Sequence, residues 1–209
     1  MKEKQKMVRK LAALLGLILA LDACTGPPPP AQTDAFQNIY NQSSAGVPSD
    51  AAMTLGQPVA FITSENVERH IGHVRDSNEY WGKVVPTSLT NTAVIADTDP
   101  TYFSHQILAM LKRHYPTLQY VHDFREAVST GKKGAILVDL RIKWMEPYGD
   151  RTNKVDIDAY FFDTAMNPVS KLNGHAEYKV PFAAMEVKFQ RTIDEAIAQL
   201  ESKINAYIR

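Results

Sequence analysis

The sequence predicts an α+β fold: a single β-sheet in β-α-β-α-β-β-β-α order, with a C-terminal antiparallel meander and helices packed on one face. Three observations carry this. Ile136–Trp144, Val155–Phe162 and Leu172–Val180 each alternate side by side with a period of two, the pattern of strands with one buried face. Phe182, Phe189, Ile193, Ile197, Leu200, Ile204 and Ile208 then recur three, four or seven residues apart, which is the apolar stripe of a long amphipathic helix. Upstream, between residues 58 and 121, short apolar runs alternate with helical spacing.

Taken in order, Pro58–Thr63 is a short apolar run expected as an edge strand. Residues 65–81 place Val67, Ile71, Val74 and Trp81 near helical spacing, and Ala93–Asp97 reads as a short buried strand. Asp99 followed by Pro100 is an N-cap with proline at the first helical position. Phe103, Ile107, Met110 and Leu111 form the stripe of that helix, which ends before Pro116. Leu118–Val121 is a second short strand. Asp123 and Glu126 make a capping-box-like pair opening a short helix that Gly131 closes.

In the meander, Ile136, Val138, Leu140, Ile142 and Trp144 share one face, opposite Leu137, Asp139, Arg141 and Lys143. Val155, Ile157, Ala159 and Phe161 oppose Asp156, Asp158, Tyr160 and Phe162, after a polar loop through Pro147, Gly149 and Asp150. Asn167-Pro168 turns the chain into the third strand, where Leu172, Gly174, Ala176, Tyr178 and Val180 oppose Asn173, His175, Glu177 and Lys179. The amphipathic helix requires an apolar surface, and the meander offers one.

Before the domain, Lys2, Lys4, Lys6, Arg9 and Lys10 form a basic segment, followed by an uncharged run from Leu11 to Leu21. Eleven helical residues rise roughly 16 Å, about half of a hydrocarbon core, so the run matches a signal-peptide core and not a membrane span. Leu21-Asp22-Ala23-Cys24 follows, ending at the only cysteine. Leu21, Ala23 and Cys24 resemble a bacterial lipobox, with Asp22 where a small or apolar residue is usual. That resemblance implies cleavage before Cys24, its lipidation with three acyl chains, and a bacterial lipoprotein. Thr25 after the cysteine implies sorting to the periplasmic face of the outer membrane in Gram-negative families. The expected organisation is a signal peptide over 1–23, a lipidated cysteine with a proline-rich tether over 24–56, and a periplasmic domain over 57–209. Pro27–Pro30 is a stiff polyproline II spacer.

Removing residues 1–23 takes five of the 23 basic and two of the 23 acidic residues, leaving a net charge of about −3. That balance argues against a nucleic-acid binder, which carries a basic patch or stripe. With Cys24 at the attachment point, the domain holds no internal disulfide and depends on its core, for which about 150 residues suffice.

The element order over roughly residues 90–208 resembles the small domain shared by the curli-secretion lipoprotein, the polysaccharide-export ring lipoproteins and the amino-terminal domain of the Tol-system propeller protein. This resemblance implies an envelope assembly or export component, often oligomeric.

Catalytic motifs are weak. His70-Ile71-Gly72-His73 spells an aminoacyl-tRNA synthetase signature but lacks the lysine loop and chain length, so it reads as coincidence. His70 and His73 share a helix face, and Asp97, Asp99, His122 and Asp123 fall near strand ends, yet no metal-ligand spacing appears, so no metal or cofactor is expected. Asp156 and Asp158 read as cross-strand ion-pairing partners of Arg141, Lys143 and Lys179. The face bearing Asp139, Arg141, Lys143, Asp156, Asp158, Tyr160, His175, Glu177 and Lys179 is a candidate protein-partner or homo-oligomer surface, with charge reversal at Arg141 and Lys143 as its probe. The expected function is a non-enzymatic, lipid-anchored assembly or export accessory subunit. The alternative is a small-molecule or glycan-binding lipoprotein with a pocket around Asp97, Asp99 and His122, with an envelope hydrolase third.

Overall fold

A computed structural model describes residues 28–34, 57–84, 99–144, 150–180 and 189–207. Cys24, the strand expected at Ala93–Asp97, Pro147, Gly149, Phe182 and Ile208 lie outside these residues. The architecture is α+β, built on one mixed sheet of five strands. Strands β1 (Ala60–Thr63), β2 (Gln119–Tyr120), β3 (Ala135–Lys143), β4 (Thr152–Phe162) and β5 (Pro168–Lys179) lie in the order β2-β1-β3-β4-β5. β1 is parallel to β2 and β3, and β3, β4 and β5 form the expected antiparallel meander.

The run at Pro58–Thr63 is an interior strand, not an edge. Val59 and Phe61 enter one apolar cluster while Ala60 and Ile62 enter the other, and a strand buried on both faces reads as an unbroken apolar run. The edge falls to β2, two exposed residues long, a length that limits unwanted pairing.

Four helices pack on this sheet: α1 (Glu65–Val84), α2 (Tyr102–His114), α3 (Phe124–Ser129) and α4 (Phe189–Tyr207). The large core joins Val67 of α1, the full stripe of α2 and six residues of α4 to the even-numbered residues of β3 and the odd-numbered residues of β4. α3 is the exception to one-sided packing. Its Ala127 joins Ala60, Ile62, Leu137 and Phe162 on the opposite face. It is anchored there by the Asp123 side chain accepting from Glu126 N (2.7 Å) and by Glu126 accepting from His122 N (2.7 Å). Gly131 closes it at φ +69°, a left-handed conformation that glycine adopts without strain.

β3 outruns β1. Pairing with β1 ends at Val138, leaving Asp139–Lys143 with no strand on that side among the described residues. Ser64 N donates to Val138 O (2.9 Å). Alternate residues of a strand point their peptide groups the same way, so the groups of Leu140 and Ile142 face this open half-edge.

Candidate functional site

The polar half of the second sheet face carries most of the residues singled out from sequence. The register sets Asp139 opposite Asp158, Arg141 opposite Asp156, and Asp156 opposite His175. Two carboxylates directly opposite each other repel, and cations resolve the conflict. Arg141 Nη2 lies 2.7 Å and Lys171 Nζ 3.0 Å from Asp158 Oδ2, while Arg141 Nε stands 3.8 Å from Asp139 Oδ2. Asp139 Oδ1 accepts from Ser64 Oγ (2.5 Å) and Asn66 Nδ2 (2.9 Å). Lys171 also sits 5.0 Å from the centroid of the Tyr160 ring. Burial first, then Asp158 and Asp139, push the Tyr160 phenol well above its usual range.

Asp139, Asp158 and Tyr160 are each 2% exposed, so they stand inside this face and offer nothing to a partner surface. The reason is the aliphatic stems of Arg141 and Lys171, which reach diagonally toward Asp158 with only about a quarter of each side chain exposed. Arg141 is therefore part of the fold, and reversing its charge breaks a buried pair. The two carboxylates are engaged by cations and neutral donors, an arrangement that ties β3, β4, β5 and the start of α1 together.

Around this node lies an exposed rim. Lys143 pairs with Asp150 (2.9 Å), whose carboxyl is held down to about 2 by hydrogen bonds from Lys143 and Thr152. Lys154 pairs with Glu177 (2.5 Å) and holds that carboxyl below the usual range. His175 bridges Asp156 (2.7 Å) and Glu177 (3.2 Å). Lys179 is exposed and opposite Thr152, away from the aspartates. Arg141 thus meets Asp158 as the sequence suggests, whereas Lys143 and Lys179 do not.

The second assembly lies on the open half-edge of β3. Tether residues Pro30, Ala31 and Gln32 lie beside it, with Leu140, Ile142 and Trp144. Gln32 Nε2 donates to Ile142 O. Asn66 engages both peptide groups of Thr33, accepting from its N–H (2.9 Å) and donating to its carbonyl (2.9 Å). Arg69 Nη1 donates to Ala31 O (2.7 Å). Beside this segment, Trp144 stacks on Phe189 at 4.3 Å and on His70 at 6.1 Å, with His73 at 5.5 Å. His70 is 6% exposed. Burial, then the neighbouring His73, lowers its pKa to about 4. The crevice left between the tether, His70 and Trp144 is about 10 Å³, room for no more than a water.

His70 and His73 share a helix face as expected, but their shared partner is Trp144. Among the described residues, no group of three or more His, Cys, Asp or Glu is placed to hold a metal. Asp97 lies outside the described residues. Asp99 accepts from Thr101 N (2.8 Å) and Oγ1 (2.7 Å), shaping the turn before α2, whose N-cap is Thr101. His122 is exposed and meets Tyr120 edge-on at 5.5 Å. Sequence reading missed Ser64, Asn66 and Lys171; it allowed the tether to lie against a partner or against its own domain but did not say where. The one signal available was Trp144, a large aromatic at the end of an alternating run.

The fold and this site define a single-sheet α+β domain with its own N-terminal segment docked on a sheet edge. No protein-family model and no curated protein matches the chain. Among solved structures, the chain is similar to the PelC dodecamer from Paraburkholderia phytofirmans at TM-score 0.40 and 10% identity, covering 70% of this chain and 87% of that one. A methionine-substituted form of that dodecamer gives TM-score 0.37 and 10% identity over 74% and 90%. The DUF330 protein XCC0632 from Xanthomonas campestris gives TM-score 0.33 and 8% identity over 53% and 67%. Likeness at these values assigns neither family nor function.

Proposed function

We propose that this protein is a lipid-anchored component of a bacterial cell envelope, held through Cys24 at the periplasmic face of the outer membrane, and that it acts as a non-enzymatic assembly or export accessory subunit. The observation that carries the reading is the basic segment, apolar run and Leu21–Cys24 sequence at the N-terminus. Two features of the domain support it. No helix of the described residues is long and apolar enough to cross a membrane, and on this reading stable attachment through acyl chains needs at least two of them. The buried carboxylates Asp139 and Asp158 are held by Arg141, Lys171, Ser64 and Asn66, an arrangement suited to stability more than to proton transfer.

The partner surface on this reading is the exposed rim of Lys143, Lys154, Asp156, His175, Glu177 and Lys179. Membranes expressing the full chain, solubilised in mild detergent, are expected to yield a large complex with labelled palmitate on the protein. Both are lost in Cys24→Ser. Lys143→Glu with Lys154→Glu, which spares the buried node, is expected to shrink the complex without unfolding the domain. A lone, unlabelled monomer from the wild-type chain would refute the reading.

A further inference from the structure

The tether contact has a geometric consequence for where the domain sits. Gln32 meets Ile142, whereas Thr33 meets Asn66, the partner of Asp139. Higher tether numbers therefore go with lower β3 numbers, and the segment runs antiparallel to β3. Its N-terminal side leaves at the end of the sheet marked by Trp144. The chain next enters the sheet at β1, and Ala60 pairs with Ala135 at the N-terminal end of β3. The β4–β5 turn lies at that same end, since Phe162 pairs with Ala135. These two ends of β3 are about 30 Å apart for a nine-residue strand.

Docking thus decides which end of the domain is leashed. Ala31 is seven positions beyond Cys24, a reach of at most about 25 Å. Without docking, the next described residue is Gln57, 33 positions beyond Cys24, a contour of up to about 120 Å that ends at the opposite end of the sheet.

The recognition is built for backbone. The Asn66 side chain pairs with both peptide groups of Thr33, as a neighbouring strand would, Arg69 donates to the Ala31 carbonyl, and the tether returns one bond from the Gln32 side chain to the Ile142 carbonyl. Pro28–Pro30, directly before the contact, has its φ angles set in advance, which lowers the ordering cost of docking an extended segment.

From these observations we infer that the open half-edge of β3 is a docking slot for the chain's own tether, and that the docked tether holds the Trp144 end of the domain toward the membrane on a leash of about 25 Å. The orientation rests on the lipid-anchor reading; the docking does not.

The test uses the full-length lipoprotein in vesicles of phosphatidylethanolamine and phosphatidylglycerol with energy-transfer acceptors at the membrane surface. Donor dyes are placed on Asp76→Cys, near the Trp144 end, and on Ala165→Cys, in the β4–β5 turn. The Asp76 position is expected to transfer more energy than the Ala165 position, and this difference to vanish in Thr33→Pro, because a reach of up to about 120 Å holds neither end at the membrane. Thr33→Pro removes the N–H that Asn66 accepts and alters only the tether, so loss of domain folding does not mimic the result. Equal transfer from both positions in the wild-type protein, or a difference unchanged by Thr33→Pro, overturns the proposed orientation. Amide exchange at Thr33 tests the docking separately. It is expected to be about tenfold slower than in Gln32→Ala with Arg69→Ala, which leave the Asn66–Asp139 bond in place, and exchange at the rate of an unstructured peptide overturns the slot. An unlipidated Cys24 with a protected Thr33 amide refutes the anchor and the orientation while upholding the slot.

Discussion

Replacing Gly174 with alanine is expected to loosen α4 from the sheet. A Cβ at Gly174 would stand 2.0 Å from the carbonyl oxygen of Ala196 and 3.0 Å from Leu200 Cβ, where ordinary contact begins at 3.4 Å. The obstacle at 2.0 Å is helix backbone, so no rotamer change relieves it. β5 and α4 must part by about 1.4 Å, a gap large enough to forfeit up to half or more of the dispersion attraction across it. Ile193, Ala196, Ile197, Leu200 and Ile204 all lie in the core that this helix closes. Overpacking costs about 1–3 kcal/mol and occasionally more, and a backbone obstacle puts Gly174→Ala near the upper end, about 3 kcal/mol. For a domain of this size that lowers Tm by about 6–12 °C. The control is built into the chemistry: in a strand without such an obstacle, alanine for glycine gains about 0.5–1 kcal/mol, so the sign alone discriminates. Thermal melts followed by circular dichroism measure the change. A Tm equal to or above wild type would refute the close approach of helix and strand. The effect should extend to association. Gln199 Oε1 accepts from His175 N (3.3 Å) and Lys203 Nζ reaches Asn173 Oδ1 (2.7 Å), so α4 shields part of the β5 edge, and a displaced helix leaves that edge open to pairing between copies.

Two further outcomes are expected. Asp158→Ala removes the carboxylate that both Arg141 and Lys171 use; breaking a buried pair costs about 3–5 kcal/mol, reduced here to about 2 kcal/mol because both cations are a quarter exposed and can turn to water. Urea denaturation should show this loss, with less than about 1 kcal/mol for Lys143→Ala at the exposed rim, and equal losses would contradict the burial of the node. His70 makes stability fall with acid. Its folded pKa of about 4 lies below the unfolded value of 6.5, so between those values the unfolded chain binds the proton that the folded chain excludes. Stability is full above about pH 6.5 and falls by about 3 kcal/mol as pH drops to 4. Comparing wild type with His70→Gln by denaturation at pH 4.5 and 7 isolates this contribution, and identical pH dependence in the two proteins would remove it.

What the sequence determined by itself is local. Alternation in β3, β4 and β5 sorted each strand's side chains onto two faces, because successive Cβ atoms point to opposite sides whatever the strand pairs with. The α2 stripe of Phe103, Ile107, Met110 and Leu111 and the Asp123–Glu126 cap appear as expected, since each involves residues within about two helical turns. The tertiary structure decided what depends on register and neighbours. Only the pairing of β3 with β4 sets Asp139 against Asp158, and only then do Arg141, Lys171, Ser64 and Asn66 become their partners and bury them. Alternation marks these aspartates merely as polar-face residues, which is why the face read as an open surface. β1 became interior because a strand's place in a sheet is set by which edges find partners, not by its own composition. The place where the tether docks was illegible for the same reason: the Asn66 side-chain amide grips the N–H and C=O of Thr33, groups that every residue but proline carries, and only the early end of β1 leaves the Ile142 carbonyl of β3 open to the Gln32 side chain.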